Sequence, residues 1–229
     1  MGPRDKPGDD DQFWDGERET VALASCHGLT LDIGARAPSP PAAAGASPHV
    51  QRLPMTIRRI AAADLMQAAR YPFTLSITEP MTAPARLAET FAASGFWTEE
   101  AGAVAIESEG RLVGTCQFYR AAPCIHGFEL GYILHDPADR GRGLAAPAVR
   151  AFSDLLFSER PTLYRQQLII EAWNTASWKL AERCGFTREG LLRSSGFGSA
   201  DPADCLIYSR TRKDWHEEAT TTMGVALSD

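Results

Sequence analysis

The chain has 229 residues, a formal net charge of -6 and a sequence pI near 5.4. Its hydrophobic share of 44% and charged share of 23% are typical of a globular protein with a sizeable core. The acidic balance argues against a nucleic-acid-binding surface, and no apolar run approaches the ~20 residues of a membrane span. The composition therefore predicts a cytoplasmic protein with no nucleic-acid or membrane partner.

The cysteines are widely spaced and odd in number, and they form neither a C-x-x-C pair nor a Cys/His cluster with zinc-ligand spacing. We expect buried, reduced thiols and no metal site. The positions concerned are Cys26, Cys116, Cys124, Cys184 and Cys205.

The first 54 residues differ in composition from the rest of the chain. Residues 1–20 are acidic, and residues 37–54 are rich in proline and alanine. Neither stretch shows helical or strand periodicity, so we predict a disordered tail over 1–54. The alternative is that translation begins at Met55, which directly precedes a strand-like run. A folded domain is expected over 55–216, followed by a flexible tail over 217–229.

Strand and helix patterns alternate from Met55 onwards. Hydrophobic spacing predicts helices over 61–70, 83–93, 144–157 and 175–184. Strands are predicted over 56–60, 103–107, 112–118, 128–135, 168–172, 186–192 and 204–211. This order indicates a single α/β domain with a mixed sheet flanked by helices.

The segment from Asp139 to Ala145 follows a strand and opens an amphipathic helix. Helix N-termini bind phosphate because their first N–H groups lack helical partners and carry partial positive charge. Gly141 and Gly143 allow close approach of a ligand to the main chain, and Arg140 and Arg142 add charged donors. The alternative is an ordinary surface turn. No G-K-[ST] follows, so the loop is not a nucleotide P-loop.

Four blocks of the sequence, in this order and spacing, resemble the GNAT N-acetyltransferases, in particular the Rim-type branch that acetylates ribosomal-protein alanines. Arg140-x-x-Gly143-x-Ala145 matches the family's Q/R-x-x-G-x-G/A coenzyme signature. The other blocks are residues 129–134, resembling the central strand, 174–186, resembling the next helix, and 187–193.

The resemblance covers residues 56–215 and implies one GNAT domain with a mixed, mostly antiparallel sheet. It implies acetyl-CoA as co-substrate, with its diphosphate on the main chain of the loop and its pantetheine arm beside the main chain of Ile133 and Leu134. The coenzyme-binding residues implied by the family pattern are Ile133, Leu134, Arg140, Gly141, Arg142, Gly143, Leu144, Ala145, Asn174 and Ser177.

Two residues are candidates for the chemistry. Glu129 is the candidate general base, acting directly or through a water molecule; the alternative is a solvent-facing or ion-paired strand residue. Ser177 matches the serine of the Rim-type N-x-x-S motif and is the candidate general acid for the departing thiolate. The alternative is that Ser177 completes a helix cap with Asn174, which could also bond the pantetheine arm.

The expected function is acetyl transfer to a primary amine, on a protein N-terminus or a small molecule, by a monomer or homodimer. One alternative is a non-catalytic acyl-CoA sensor on the same fold. Another is an interaction protein in which residues 140–145 form a plain turn. Residues 70–95 match no branch of the family, so the sequence leaves the acceptor undefined.

Overall fold

The structure is a computed structural model and describes residues 55–71, 84–121, 126–196 and 202–226. The predicted tail over 1–54, Cys26 and Cys124 lie outside these ranges. Cys116, Cys184 and Cys205 are buried and free of disulfides, as expected. No helix in the described ranges is long and apolar enough to cross a membrane.

The described strands form one seven-stranded sheet in the order β1-β2-β3-β4-β5-β7-β6. Only the β4–β5 pair is parallel, which confirms the predicted mixed, mostly antiparallel sheet. The strands are β1 (Met55–Arg59), β2 (Ala101–Ser108), β3 (Arg111–Arg120), β4 (Phe128–Leu134), β5 (Arg165–Glu171), β6 (Thr187–Leu192) and β7 (Cys205–Thr211).

Helices cover both faces of the sheet. They are α1 (Leu65–Ala68), α2 (Pro84–Ser94), α3 (Ala145–Glu159), α4 (Thr175–Arg183) and α5 (Arg212–Ala226). The larger apolar cluster packs α3 against the sheet through residues such as Phe118 and Phe152, and the smaller one packs α1 and α2 through Leu87 and Phe96. The predicted helix over 61–70 is shorter than expected, because its start is a 3-10 turn at Ala62–Asp64.

Strands β4 and β5 pair over two positions in the described structure, Phe128 with Gln166 and Glu129 with Gln167. Beyond this point each strand continues without a recorded partner from the other. The gap between residues 130–134 and 168–171 is called the wedge below. The wedge opens at the C-terminal end of β4, next to the loop that connects β4 to α3.

Helix α5 runs through residue 216, at which the sequence predicts the end of the folded domain. Glu218 Oε2 accepts hydrogen bonds from Arg210 Nη2 at 2.6 Å and Arg150 Nη2 at 2.5 Å. The Arg210 side chain is fully buried and also bonds Asp154. A buried guanidinium needs carboxylate partners, so the start of α5 belongs to the folded domain.

We expect Glu218→Ala to lower the free energy of unfolding by about 2 kcal/mol, because it leaves the buried Arg210 with fewer partners. Glu217→Ala is the matched control, since Glu217 is exposed and faces Lys213 at 3.7 Å; its expected effect is within about 0.5 kcal/mol. Urea titration of both variants measures the difference. Equal effects would contradict the docking role assigned to α5.

Candidate active site

The loop between β4 and α3 has the backbone that an anion site needs. Gly141 and Gly143 have φ angles of +74° and +78°, in the left-handed region that favours glycine. A Cβ at either position would meet no heavy atom within 4 Å, so the space beside the main chain is open. The two glycines therefore shape the loop and leave its main chain accessible.

The amides at the start of α3 are unused within the described structure. Leu144, the N-cap residue, makes no side-chain cap, and the first recorded bond there is from Ala148 N–H to the Leu144 carbonyl. No backbone acceptor is recorded in the described ranges for the N–H groups of residues 141–146. Such N–H groups at a helix start can bind a diphosphate.

The two loop arginines differ in their surroundings. Arg142 Nη1 donates to Asp139 Oδ1 at 2.8 Å, and Arg111 Nη2 donates to the same oxygen at 3.2 Å. Asp139 is 3% exposed, and a buried carboxylate requires such partners. Arg142 therefore stabilises the loop through its bond to Asp139, and its guanidinium points at that carboxylate instead of outwards. Arg140 has no recorded side-chain partner in the described ranges and is the better candidate to contact a phosphate.

His135 supports the base of the same loop from the end of β4. It is 4% exposed and its ring stacks on Tyr71, with the centroids 4.1 Å apart and the planes at 7°. Gln67 Nε2 lies 3.4 Å from His135 Nδ1 and donates to the Leu112 carbonyl. Burial lowers the pKa of His135 from 6.5 to about 4, so the ring is neutral at pH 7.

This burial predicts a pH dependence of folding. The unfolded chain binds the His135 proton more tightly than the folded one, so stability falls as the pH drops from 6.5 towards 4. His135 contributes on the order of 3 kcal/mol to that fall. Urea titrations from pH 7 to 4.5 should show a shallower fall for His135→Gln than for the wild type. Parallel curves would contradict the prediction.

The main chain of β4 presents alternate residues to the wedge. His135 N–H bonds the Val113 carbonyl at 2.9 Å, so the main-chain groups of His135 face β3. Because these groups alternate along a strand, those of Ile133 also face β3, and those of Tyr132 and Leu134 face the wedge. The main chain of Ile133, which the family pattern implies beside the pantetheine arm, therefore faces β3 instead of the wedge.

Glu129 lies at the closed end of the wedge and is 2% exposed. Its Oε1 accepts a hydrogen bond from the Tyr119 hydroxyl at 2.6 Å, and its Oε2 accepts one from Gln167 Nε2 at 3.2 Å. The alternative of a solvent-facing strand residue is therefore wrong. The two neutral donors hold the carboxylate in place.

Helix α4 begins at the open side of the wedge. Asn174 caps it by accepting from the Ser177 N–H at 3.2 Å, as expected. The Ser177 hydroxyl is not part of this cap. Its Oγ lies 2.6 Å from the Tyr132 hydroxyl, which comes from β4 on the other side of the wedge. The polar side chain of Ser177 therefore lies between β4 and α4, at the open side of the wedge.

The loop, Glu129 and Ser177, which the sequence singles out, lie around one gap in the sheet, but the sequence does not identify their partners. Alternation places Tyr132 on an apolar strand face and assigns no role to Tyr119 or Gln167. Periodicity gives the face of a residue, and it carries no signal for contacts between elements 45 residues apart, as for Tyr132 and Ser177.

A family model and a curated relative both identify this chain as similar to N-acetyltransferases. The model of the acetyltransferase (GNAT) domain matches residues 54–187. A curated relative, the probable N-acetyltransferase YjcK of Bacillus subtilis strain 168, is 32% identical over 89 residues, which are 38% of this chain. The match spans about half of that relative, 48% of its length.

Solved structures with a similar fold include two of spermidine acetyltransferases from Vibrio cholerae. The spermidine/spermine N-acetyltransferase SpeG in complex with manganese ions has a TM-score of 0.61 at 19% identity, covering 72% of this chain and 96% of the other. A dodecameric spermidine N-acetyltransferase has a TM-score of 0.60 at 19% identity, covering 70% and 95%. At 19% sequence identity, the similarity to these structures establishes a shared fold.

Proposed function

The chain belongs to the GNAT acetyltransferase domain family, and on this premise we propose that it transfers the acetyl group of acetyl-CoA to a primary amine. The observation that carries the proposal is the joint position of an open, amide-rich loop and a wedge in the sheet. The loop suits a diphosphate, and the wedge leads from it to the buried carboxylate of Glu129.

In this proposal the coenzyme lies along β4. The amides of Gly141 to Ala146 hold the diphosphate, Arg140 adds a charge-assisted bond, and Arg142 keeps the loop in shape through Asp139. The pantetheine arm lies in the wedge against the main chain of Leu134, with Asn174 near its far side. A main-chain N–H of β4 then lies where the oxyanion of the tetrahedral intermediate forms.

The face of the sheet that carries Glu129 favours a cationic acceptor. Glu171 lies on the same face of β5 as Gln167, about 13 Å further along the strand, and is also buried. Two carboxylates on one face of the wedge raise the local preference for ammonium groups. The spermidine acetyltransferases among the structural neighbours support a small polyamine as acceptor, while a protein N-terminus remains the second candidate.

The pKa of the acceptor amine determines how much free energy its deprotonation requires at neutral pH. A lysine-like or polyamine nitrogen of pKa ~10.4 requires about 4.6 kcal/mol to be neutral at pH 7, and an α-amine of pKa ~8 requires about 1.4 kcal/mol. Glu129 accepts the ammonium proton directly or through water. The neutral nitrogen forms the C–N bond and releases its second proton to water. The C–S bond breaks with its electron pair on sulfur, and sulfur receives a proton through Ser177.

An acceptor screen tests the proposal. Purified full-length protein is mixed with acetyl-CoA and, in turn, spermidine, diamines, amino acids, aminoglycosides and alanine-starting peptides, and released thiol is measured. We expect turnover with at least one amine, with diamines and polyamines ahead of neutral peptides. Saturable acetyl-CoA binding without thiol release from any amine would support the sensor alternative. No binding at millimolar acetyl-CoA would contradict both.

A further inference from the structure

The contact between Tyr132 and Ser177 joins the two sides of the wedge. The Tyr132 hydroxyl lies 2.6 Å from Ser177 Oγ and 3.2 Å from the Ser177 carbonyl oxygen. The tyrosine ring packs against the main apolar cluster, and burial raises the pKa of its hydroxyl above the ordinary value. The hydroxyl therefore stays protonated at neutral pH and is available as a hydrogen-bond donor.

The chemistry of the leaving group shows why such a donor matters. A thiol has a pKa of about 8.5, and the hydroxyl of a serine is a far weaker acid. Ser177 alone has little tendency to give its proton to a thiolate. A phenol donating to Ser177 Oγ stabilises negative charge on that oxygen and directs the serine proton away from the tyrosine, towards the wedge.

We propose that Tyr132 is a positioning residue for acetyl transfer, donating its hydroxyl hydrogen to Ser177 Oγ so that the Ser177 proton points at the coenzyme sulfur. The inference rests on the proposed function. As the C–S bond breaks, its electron pair stays on sulfur, sulfur takes the Ser177 proton, and water restores that proton after the coenzyme leaves. The O–H bond of Tyr132 stays intact throughout.

The opposite direction of the same hydrogen bond defines the competing arrangement. In this arrangement Tyr132 donates to the Ser177 carbonyl and accepts from Ser177 Oγ. The serine hydrogen then points at Tyr132 and cannot reach the coenzyme sulfur, so the pair only stabilises the packing of α4 against β4. Both geometries fit one oxygen–oxygen distance, because the hydroxyl hydrogens can rotate. The two arrangements differ in what happens to turnover when the tyrosine donor is removed or replaced.

Tyr132→Phe keeps the ring and removes the donor. We expect kcat with the best amine of the acceptor screen to fall about tenfold, the size of one hydrogen bond made in the transition state, with KM for acetyl-CoA unchanged. Tyr208→Phe is the matched control, since Tyr208 also packs in the main apolar cluster and its hydroxyl bonds Glu182 on the same helix α4, outside the wedge. We expect wild-type kcat for this control, whatever its change in melting temperature.

Two further variants separate positioning from a structural role. The double variant with Ser177→Ala should be no slower than Ser177→Ala alone, because Tyr132 acts through Ser177. Tyr132→para-aminophenylalanine restores an N–H donor that is a poor acceptor, and we expect it to recover most of the lost kcat. It also serves as the test variant if Tyr132→Phe fails to fold.

Three results would overturn the inference in an active enzyme: wild-type kcat for Tyr132→Phe, additive losses in the double variant, or no recovery with para-aminophenylalanine. Absence of thiol release by the wild-type protein with every amine would instead contradict the proposed function itself. The wild-type measurement therefore separates the two failures before any variant is assayed.

Discussion

Gly143→Val is expected to lower the affinity for acetyl-CoA by about tenfold to a hundredfold, with a much smaller effect on folding. Gly143 has a φ of +78°, which a β-branched residue avoids at a cost of about 1–2 kcal/mol. Valine therefore moves the loop main chain out of this conformation. One or two amide bonds to the diphosphate are then lost, each contributing about 1.5–3 kcal/mol when the acceptor is charged. Calorimetry with acetyl-CoA measures the change.

Gly95→Val is the matched control. Gly95 follows α2, away from the loop, and has a φ of +59°. A Cβ at this position would meet no heavy atom within 4 Å. This variant should suffer a similar backbone strain while retaining wild-type affinity. If both variants bind acetyl-CoA as the wild type does, the loop is not the diphosphate site. If both lose affinity equally, the loss reflects folding alone.

Glu129→Gln is expected to lower kcat/KM for the amine at pH 7 by about a hundredfold, the usual contribution of a general base. The substitution is nearly isosteric, and the Tyr119 hydroxyl and Gln167 can still bond the amide because the hydroxyl can donate or accept. The deficit should shrink as the pH rises towards the pKa of the amine, since hydroxide and solvent then deprotonate it. Initial rates from pH 6 to 9.5 test this.

The control for charge removal in a strand is Glu107→Gln. Glu107 lies on β2 and pairs with Arg58 at 2.6 Å, away from the wedge. It should keep the wild-type pH profile. A deficit for Glu129→Gln that stays constant across the pH range would assign Glu129 a structural role, and wild-type rates would remove it from the mechanism.

The sequence predicted the fold well because its signals were local. Alternation placed β4 and its two faces, and the four-residue spacing of Leu144, Ala148, Phe152 and Leu156 placed α3 with its buried side. The structure confirms both elements. The loop between them stood out because glycines and arginines directly before a helix start are typical of an anion site. All of these features depend on residues close together in the chain.

The features that the sequence did not predict depend on contacts distant in the chain. Arg142 was expected to face the diphosphate, but the buried Asp139 binds it together with Arg111, 28 residues before Asp139. Helix α5, which crosses residue 216, is held against the domain by the hydrogen bond from the buried Arg210 to Glu218. Neither burial nor a partner across the sheet can be read from local composition, so the electrostatics of the site required the structure.

The main-chain amides before α3 can be observed directly by NMR of ¹⁵N-labelled protein. Acetyl-CoA is titrated first, and acetyl-pantetheine, which lacks the diphosphate, is titrated in parallel. We predict large, saturable shifts of the amides of Gly141, Gly143 and Ala145 with acetyl-CoA, and little change at these positions with acetyl-pantetheine. Saturable acetyl-CoA binding that leaves these three amides unmoved would contradict the account.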